Sequence, residues 1–208
     1  MKRKLEAVIA VLLSLARPQA ASAECAPIAV IGNSHVVAMG EYVERNRIDE
    51  TALRFRSAER YASQKQGCTD CDPFSYNGRN IARIRQEMPS ILDELEVEGI
   101  DRVIIYEGTN SLWLGEKRLK SYLTDIVKTF HSHSKAVYIA EMPLGVADAN
   151  VMTGSRGVRA YNRIIREVGA DGIVEAMHVP WKARSVHGYT PDTFPYLLKR
   201  FKAVAECE

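Results

Sequence analysis

Short apolar runs alternate along this chain with longer stretches in which apolar residues recur every three or four positions. Runs at 27–31, 103–106, 136–140 and 172–176 read as strands buried on both faces. At 53–56, Leu53 and Phe55 alternate with Arg54 and Arg56, which suits a half-exposed strand at a sheet edge. Helical spacing marks 36–46, with Val37, Met39, Tyr42 and Val43 facing inward. It also marks 80–97, with Ile81, Ile84, Met88, Ile91, Leu92 and Leu95 on one face. Further helices are expected at 116–131, 156–168 and 191–204, and polar loops at 63–78 and 143–155. This order predicts an α/β fold: a three-layer α/β/α sandwich around a mainly parallel sheet of about five strands. In such a sheet ligands bind outside the carboxyl ends of the strands. The residues just after each apolar run are therefore the ones to inspect for chemistry.

The start of the chain has a different character. Lys2, Arg3 and Lys4 precede an apolar run at 7–16, too short for the roughly 20 residues of a membrane-spanning helix. Ala21-Ser22-Ala23 follows as a small-residue cleavage site. We expect residues 1–23 to be a signal peptide and 24–208 to form one exported domain, periplasmic or secreted, without stable membrane insertion. Four of the 28 Lys and Arg residues and one of the 26 Asp and Glu residues lie in that leader. The remainder carries 24 cations against 25 anions, close to neutral. No basic surface for nucleic acid is implied.

All four cysteines follow the leader, and an even number in an exported chain suggests two disulfides. Cys68 and Cys71 are close enough to pair within a loop, which leaves Cys25 with Cys207 to tie the ends of the domain together. A link closing so long a loop contributes about 4 kcal/mol in the chain-entropy model. The competing reading of Cys68-Thr69-Asp70-Cys71 is a redox or metal site. A redox motif should open a helix behind a strand, whereas Asp72-Pro73 follows here, and a zinc site would need a second ligand pair at matching spacing.

The run 28–31 leads into Gly32-Asn33-Ser34-His35 and then a helix. The glycine permits a tight turn, and the helix N-terminus offers free N–H groups and a positive dipole end to an oxyanion. Taken alone, a serine there is more often a helix cap. The glycines of a dinucleotide fingerprint, the Gly-Lys-Ser/Thr of a P-loop and the second glycine of a Gly-x-Ser-x-Gly elbow are all missing. Three other segments occupy the ends of apolar runs or the starts of helices. These are Tyr76-Asn77-Gly78-Arg79-Asn80, Glu107-Gly108-Thr109-Asn110, and His187-Gly188-Tyr189-Thr190-Pro191.

Together, and in this order, these segments resemble the four blocks of the SGNH (GDSL-like) serine hydrolases over essentially the whole of residues 24–208. Gly32-Asn33-Ser34 stands for the family's Gly-Asp-Ser, Gly78 for its oxyanion-hole glycine, and Gly108-Thr109-Asn110 for its Gly-x-Asn. His187 stands for the catalytic histidine. His35 after the serine resembles the variant found in SGNH domains attached to membrane acyltransferases. The resemblance implies a serine esterase with Ser34 as nucleophile and His187 as its base. The oxyanion would be held by the N–H groups of Ser34 and Gly78 and the side-chain amide of Asn110. Ser34 needs His187 to take its proton, and each oxyanion donor is typically worth about 2.7–4 kcal/mol of barrier.

Two positions depart from the family's pattern. Asn33 replaces an aspartate and can still cap a turn. Arg184 stands where the family's third triad member, an aspartate three residues before the histidine, is expected. Glu107 and Asp192 are substitute carboxylates. A guanidinium at 184 cannot orient an imidazolium, but it can hold a substrate carboxylate in a bidentate pair. Trp113 and Trp181 belong to the expected rim of the site, where they would either stack on a sugar ring or anchor loops.

No cofactor or metal is expected: His131 and His133, two apart on a helix, do not share a face, and more simply complement a helix C-terminus. Arg156 and Arg159 read as a solvated helix face. The expected activity is hydrolysis of an ester, such as an O-acyl group on a glycan, by a monomer. Acyl transfer by the same residues, or a degenerate site that only binds, are the alternatives.

Overall fold

The computed structural model describes residues 27–48, 53–54, 80–107, 110–145, 154–181 and 193–205. In chain order the elements are β1 (Ile28–Gly32), α1 (Ser34–Arg45), β2 (Leu53–Arg54), α2 (Ile81–Gln86), α3 (Met88–Val97), β3 (Arg102–Tyr106), α4 (Glu116–Ser132), β4 (Ala136–Ala140), α5 (Gly154–Ile164), β5 (Gly172–Val174) and α6 (Phe194–Val204). Single 3-10 turns lie at Leu112–Leu114 and Ile165–Glu167.

The five strands form one sheet in the order β2-β1-β3-β4-β5, and every neighbouring pair is parallel. A parallel sheet needs cover on both faces, and the period-2 alternation of its side chains supplies two separate cores. Ala29, Ile31, Val103, Ile105, Val137 and Ile139 pack on the side of α2, α3, α4 and α5. Ile28, Val30, Ile104, Tyr106, Ala140 and Val174 pack on the side of α1 and α6. The architecture is therefore the expected α/β/α sandwich, with Leu53 of the edge strand registered against Ile28. Among the described residues, no helix is long and apolar enough to cross a membrane.

Three elements differ from expectation for identifiable reasons. The apolar stripe at 80–97 is carried by two helices rather than one, because Pro89 lies in the first turn of α3. Proline lacks an N–H and its ring clashes with the carbonyl four residues back, so the ladder breaks at Glu87. The stripe survives the break: Ile84, Met88, Ile91 and Leu95 are all buried in one core. The helix expected at 156–168 starts at Gly154 and tightens to 3-10 geometry after Ile164. Strand β5 stops at Val174 rather than at 176, because the N–H groups of Ala176 and Met177 turn to the Glu141 carboxylate at 3.1 and 3.0 Å. On α1, Val37 and Met39 are buried as expected, with Val36 beside them; Tyr42 and Val43 are half-buried at the edge of that core.

Candidate active site

Strand order 2-1-3-4-5 has a topological switch point between β1 and β3. The helix after β1 covers one face and the helix after β3 the other, the arrangement in which a ligand crevice is expected between them at the carboxyl ends. Gly32 of β1 is registered against Tyr106 of β3, so the residues following each strand emerge side by side. Asn33 and Ser34 follow β1, and Glu107 follows β3.

Gly32 has no room for a side chain. A Cβ there would lie 2.3 Å from the Tyr106 carbonyl oxygen and 2.4 Å from Val36 Cγ2. Its φ is not left-handed. The glycine is thus required by the close approach of β1, β3 and α1, and not by the turn the sequence suggested. Asn33 follows in extended geometry as the N-cap of α1, and its Oδ1 accepts from His35 N at 2.9 Å. Ser34 is then the first residue of α1 and is buried.

Across the switch point, Glu107 follows β3 and is only 1% exposed. Its Oε1 accepts from Asn33 Nδ2 at 3.2 Å, and its Oε2 accepts from the Ser111 hydroxyl. Ser111 Oγ in turn accepts from Ile81 N, at the start of α2, at 2.8 Å. Asn110 lies in the same turn and is half-buried. Deeper in, the Tyr161 phenol is fully buried, with no hydrogen-bond partner among the described residues. Burial first, and then the negative charge of Glu107, hold its pKa well above the usual phenol value, so it stays neutral.

Aromatic rings gather around His35. His35 stacks on Trp181, with ring centroids 5.5 Å apart and an interplanar angle of 18°, and meets the edge of Tyr106 at 5.9 Å. Trp181 is half-buried and leaves so little room at Gly145 that a Cβ there would lie 2.5 Å from its own Cβ. It behaves as a loop anchor. Trp113 is 64% exposed on the 3-10 turn just after Asn110.

Thus Asn33, beside Ser34, and Ser111, beside Asn110, both bond to Glu107, and Trp181 packs against His35. Gly78, Arg184, His187 and Asp192 lie outside the described residues, as do Cys25, Cys68, Cys71 and Cys207. His131 Nε2 pairs with Asp171 at 2.8 Å, and His133 Nδ1 donates to the Thr129 carbonyl at 2.9 Å. Arg156 and Arg159 are exposed. Sequence reasoning missed Ser111, Tyr161 and Glu141. A polar or acidic residue at the end of a buried strand is the signal that marks Glu107 and Glu141 alike.

No protein-family model matches the sequence, and no curated protein does. Solved structures do match. A lipase/acylhydrolase from Enterococcus faecalis is 12% identical, with a TM-score of 0.56 over 86% of this chain and 95% of that one. A GDSL-like lipase from Bacteroides thetaiotaomicron VPI-5482 is 10% identical, with a TM-score of 0.58 over 88% of each chain. An acetyl xylan esterase from Geobacillus stearothermophilus is 12% identical, with a TM-score of 0.57 over 88% of this chain and 95% of that one. Identities this low speak for the backbone alone, and by that measure the chain has the SGNH (GDSL-like) hydrolase fold.

Proposed function

We propose that this protein is an exported serine esterase in which Ser34 attacks the ester and His187 is its base. The observation that carries the reading is the position of Ser34. It heads α1 at the carboxyl end of β1, which is registered against β3, in a fold shared with lipases and esterases. The described residues on either side of His187, Trp181 and Thr193, support the reading. Trp181 stacks on His35, next to Ser34, and Thr193 Oγ1 donates to the Pro180 carbonyl at 2.7 Å.

In the proposed reaction Ser34 Oγ bonds to the acyl carbon as its proton passes to His187. The tetrahedral oxyanion is held by the Ser34 and Gly78 N–H groups and the Asn110 amide. Collapse expels the alcohol, which takes the proton from His187. Water then attacks the acyl-enzyme by the same route and releases the acid. Arg184 selects substrates bearing an anion, and exposed Trp113 contacts a sugar ring, since Trp181 is occupied by His35. O-acyl groups on an acidic glycan are the substrate class these features favour, and the likeness in backbone to an acetyl xylan esterase supports the reading.

The test compares wild type, Ser34→Ala, His187→Ala and Arg184→Ala on neutral and anionic acetyl esters. Ser34→Ala should lose turnover by about a thousandfold or more. Arg184→Ala should raise KM for the anionic ester and spare the neutral one. Arg184 in the place of a triad carboxylate also supports a second reading, a site that binds without turnover. Wild type indistinguishable from Ser34→Ala on every ester would leave only that reading.

A further inference from the structure

We propose that Glu107 is a positioning residue for the nucleophile turn, locked to Asn33 as an amide–carboxylate pair; the proposal rests on the reading of Ser34 given above. Asn33 uses both ends of its amide. Its Oδ1 accepts from His35 N at 2.9 Å and its Nδ2 donates to Glu107 Oε1 at 3.2 Å. An aspartate at 33 would keep the first bond but have nothing to donate in the second. It would instead set a second carboxylate against Glu107 in a place where both residues are almost fully buried, and two carboxylates sharing one site cannot both ionise easily. The chain therefore carries an amide where the family it resembles carries an acid, because the acid sits across the crevice at 107.

The other oxygen of Glu107 extends the lock. Ser111 Oγ accepts from Ile81 N at 2.8 Å, which commits its single proton to Glu107 Oε2. One buried carboxylate thus joins three segments: the turn before Ser34, the turn containing Asn110, and the start of α2, three residues after Gly78. The first two segments adjoin or contain the nucleophile Ser34 and two of the proposed oxyanion donors, Ser34 N and Asn110. Their mutual placement depends on a network that no single segment could maintain.

Exchanging the two side chains tests the lock. In Asn33→Asp/Glu107→Gln, the new carboxylate at 33 can accept from both His35 N and the new amide at 107, whose oxygen can still accept from Ser111. Full-length wild type, each single variant and the double variant would be compared by the rate of labelling at Ser34 with a fluorophosphonate and by thermal unfolding. Asn33→Asp should slow labelling about tenfold or more in the wild-type background and restore it in the Glu107→Gln background, with Tm following the same pattern. Equal slowing by Asn33→Asp in both backgrounds would overturn the proposal. If Asn33→Asp alone does not fold, a folded and labelled double variant supports the lock and an unfolded one overturns it. If wild type is not labelled at Ser34, the esterase reading fails and Tm alone judges the pair. Non-additive shifts then support it and additive shifts overturn it.

Discussion

A methyl group is the smallest addition Gly32 could receive, and the structure has no place for it. Gly32→Ala should destabilise the protein by about 1–3 kcal/mol, the usual cost of overpacking, because the nearest obstacle is backbone at 2.3 Å. Urea denaturation measures this directly; unchanged stability would show that β1 and β3 can separate freely. Asp171 permits a second test, in pH. Its carboxylate accepts first from Val137 N at 2.6 Å and then from His131 at 2.8 Å, and these bonds lower its pKa. A depressed carboxyl pKa makes the unfolded chain bind more protons, so the stabilisation is present above the unfolded value near 3.8 and is lost as pH falls through the folded one. Asp171→Asn should therefore flatten the acid limb of the stability profile below about pH 4, modestly, since the side chain is 43% exposed. Profiles that stay parallel down to pH 2 would contradict it. At this scale the sequence revealed what is local. Strand, Gly, Asn, Ser and helix lie within a few positions, and so Ser34 was legible. The partner of Asn33 is 74 positions away, and its identity waits on strand order.

At the scale of elements, periodicity identified the buried faces well and the ends poorly. The stripe through α2 and α3 is continuous although the helix is not, because burial depends on spacing whereas the ladder depends on the N–H that Pro89 lacks. The end of β5 was illegible for a different reason. What stops it is Glu141, just past the end of β4, whose buried carboxylate gathers the N–H groups of Ala176 and Met177 and the Arg166 guanidinium. Glu141→Ala would leave two backbone donors without a partner and should cost about 2–4 kcal/mol. Faster hydrogen exchange should be confined to 172–177. Arg166→Met should cost less at neutral pH, since the carboxylate keeps its two backbone donors. The reverse ranking, read by denaturant unfolding, would show that the ion pair rather than the backbone clasp holds β4 to β5.

At the scale of the whole molecule, the alternation of strand and helix was enough to predict a three-layer sandwich, because parallel strands demand cover on both faces. Strand order was not legible, yet it decides which strand ends are neighbours: β1 and β3 lie side by side at the switch point, so Gly32 and Tyr106 are in register there. The expected disulfides and the His187 and Arg184 pair fall outside the described residues, so they rest on solution tests. Mass spectrometry of the non-reduced exported protein should show Cys25–Cys207 and Cys68–Cys71 links, and free thiols would count against them. The central claim is that this fold holds an activated serine at position 34. Labelling the folded full-length protein with a fluorophosphonate, followed by peptide mapping, tests it most directly. The account predicts a single adduct on Ser34, absent in Ser34→Ala and formed about a hundredfold or more slowly in His187→Ala. A folded wild type that takes up no label at Ser34, or a label that persists undiminished in Ser34→Ala, would contradict it.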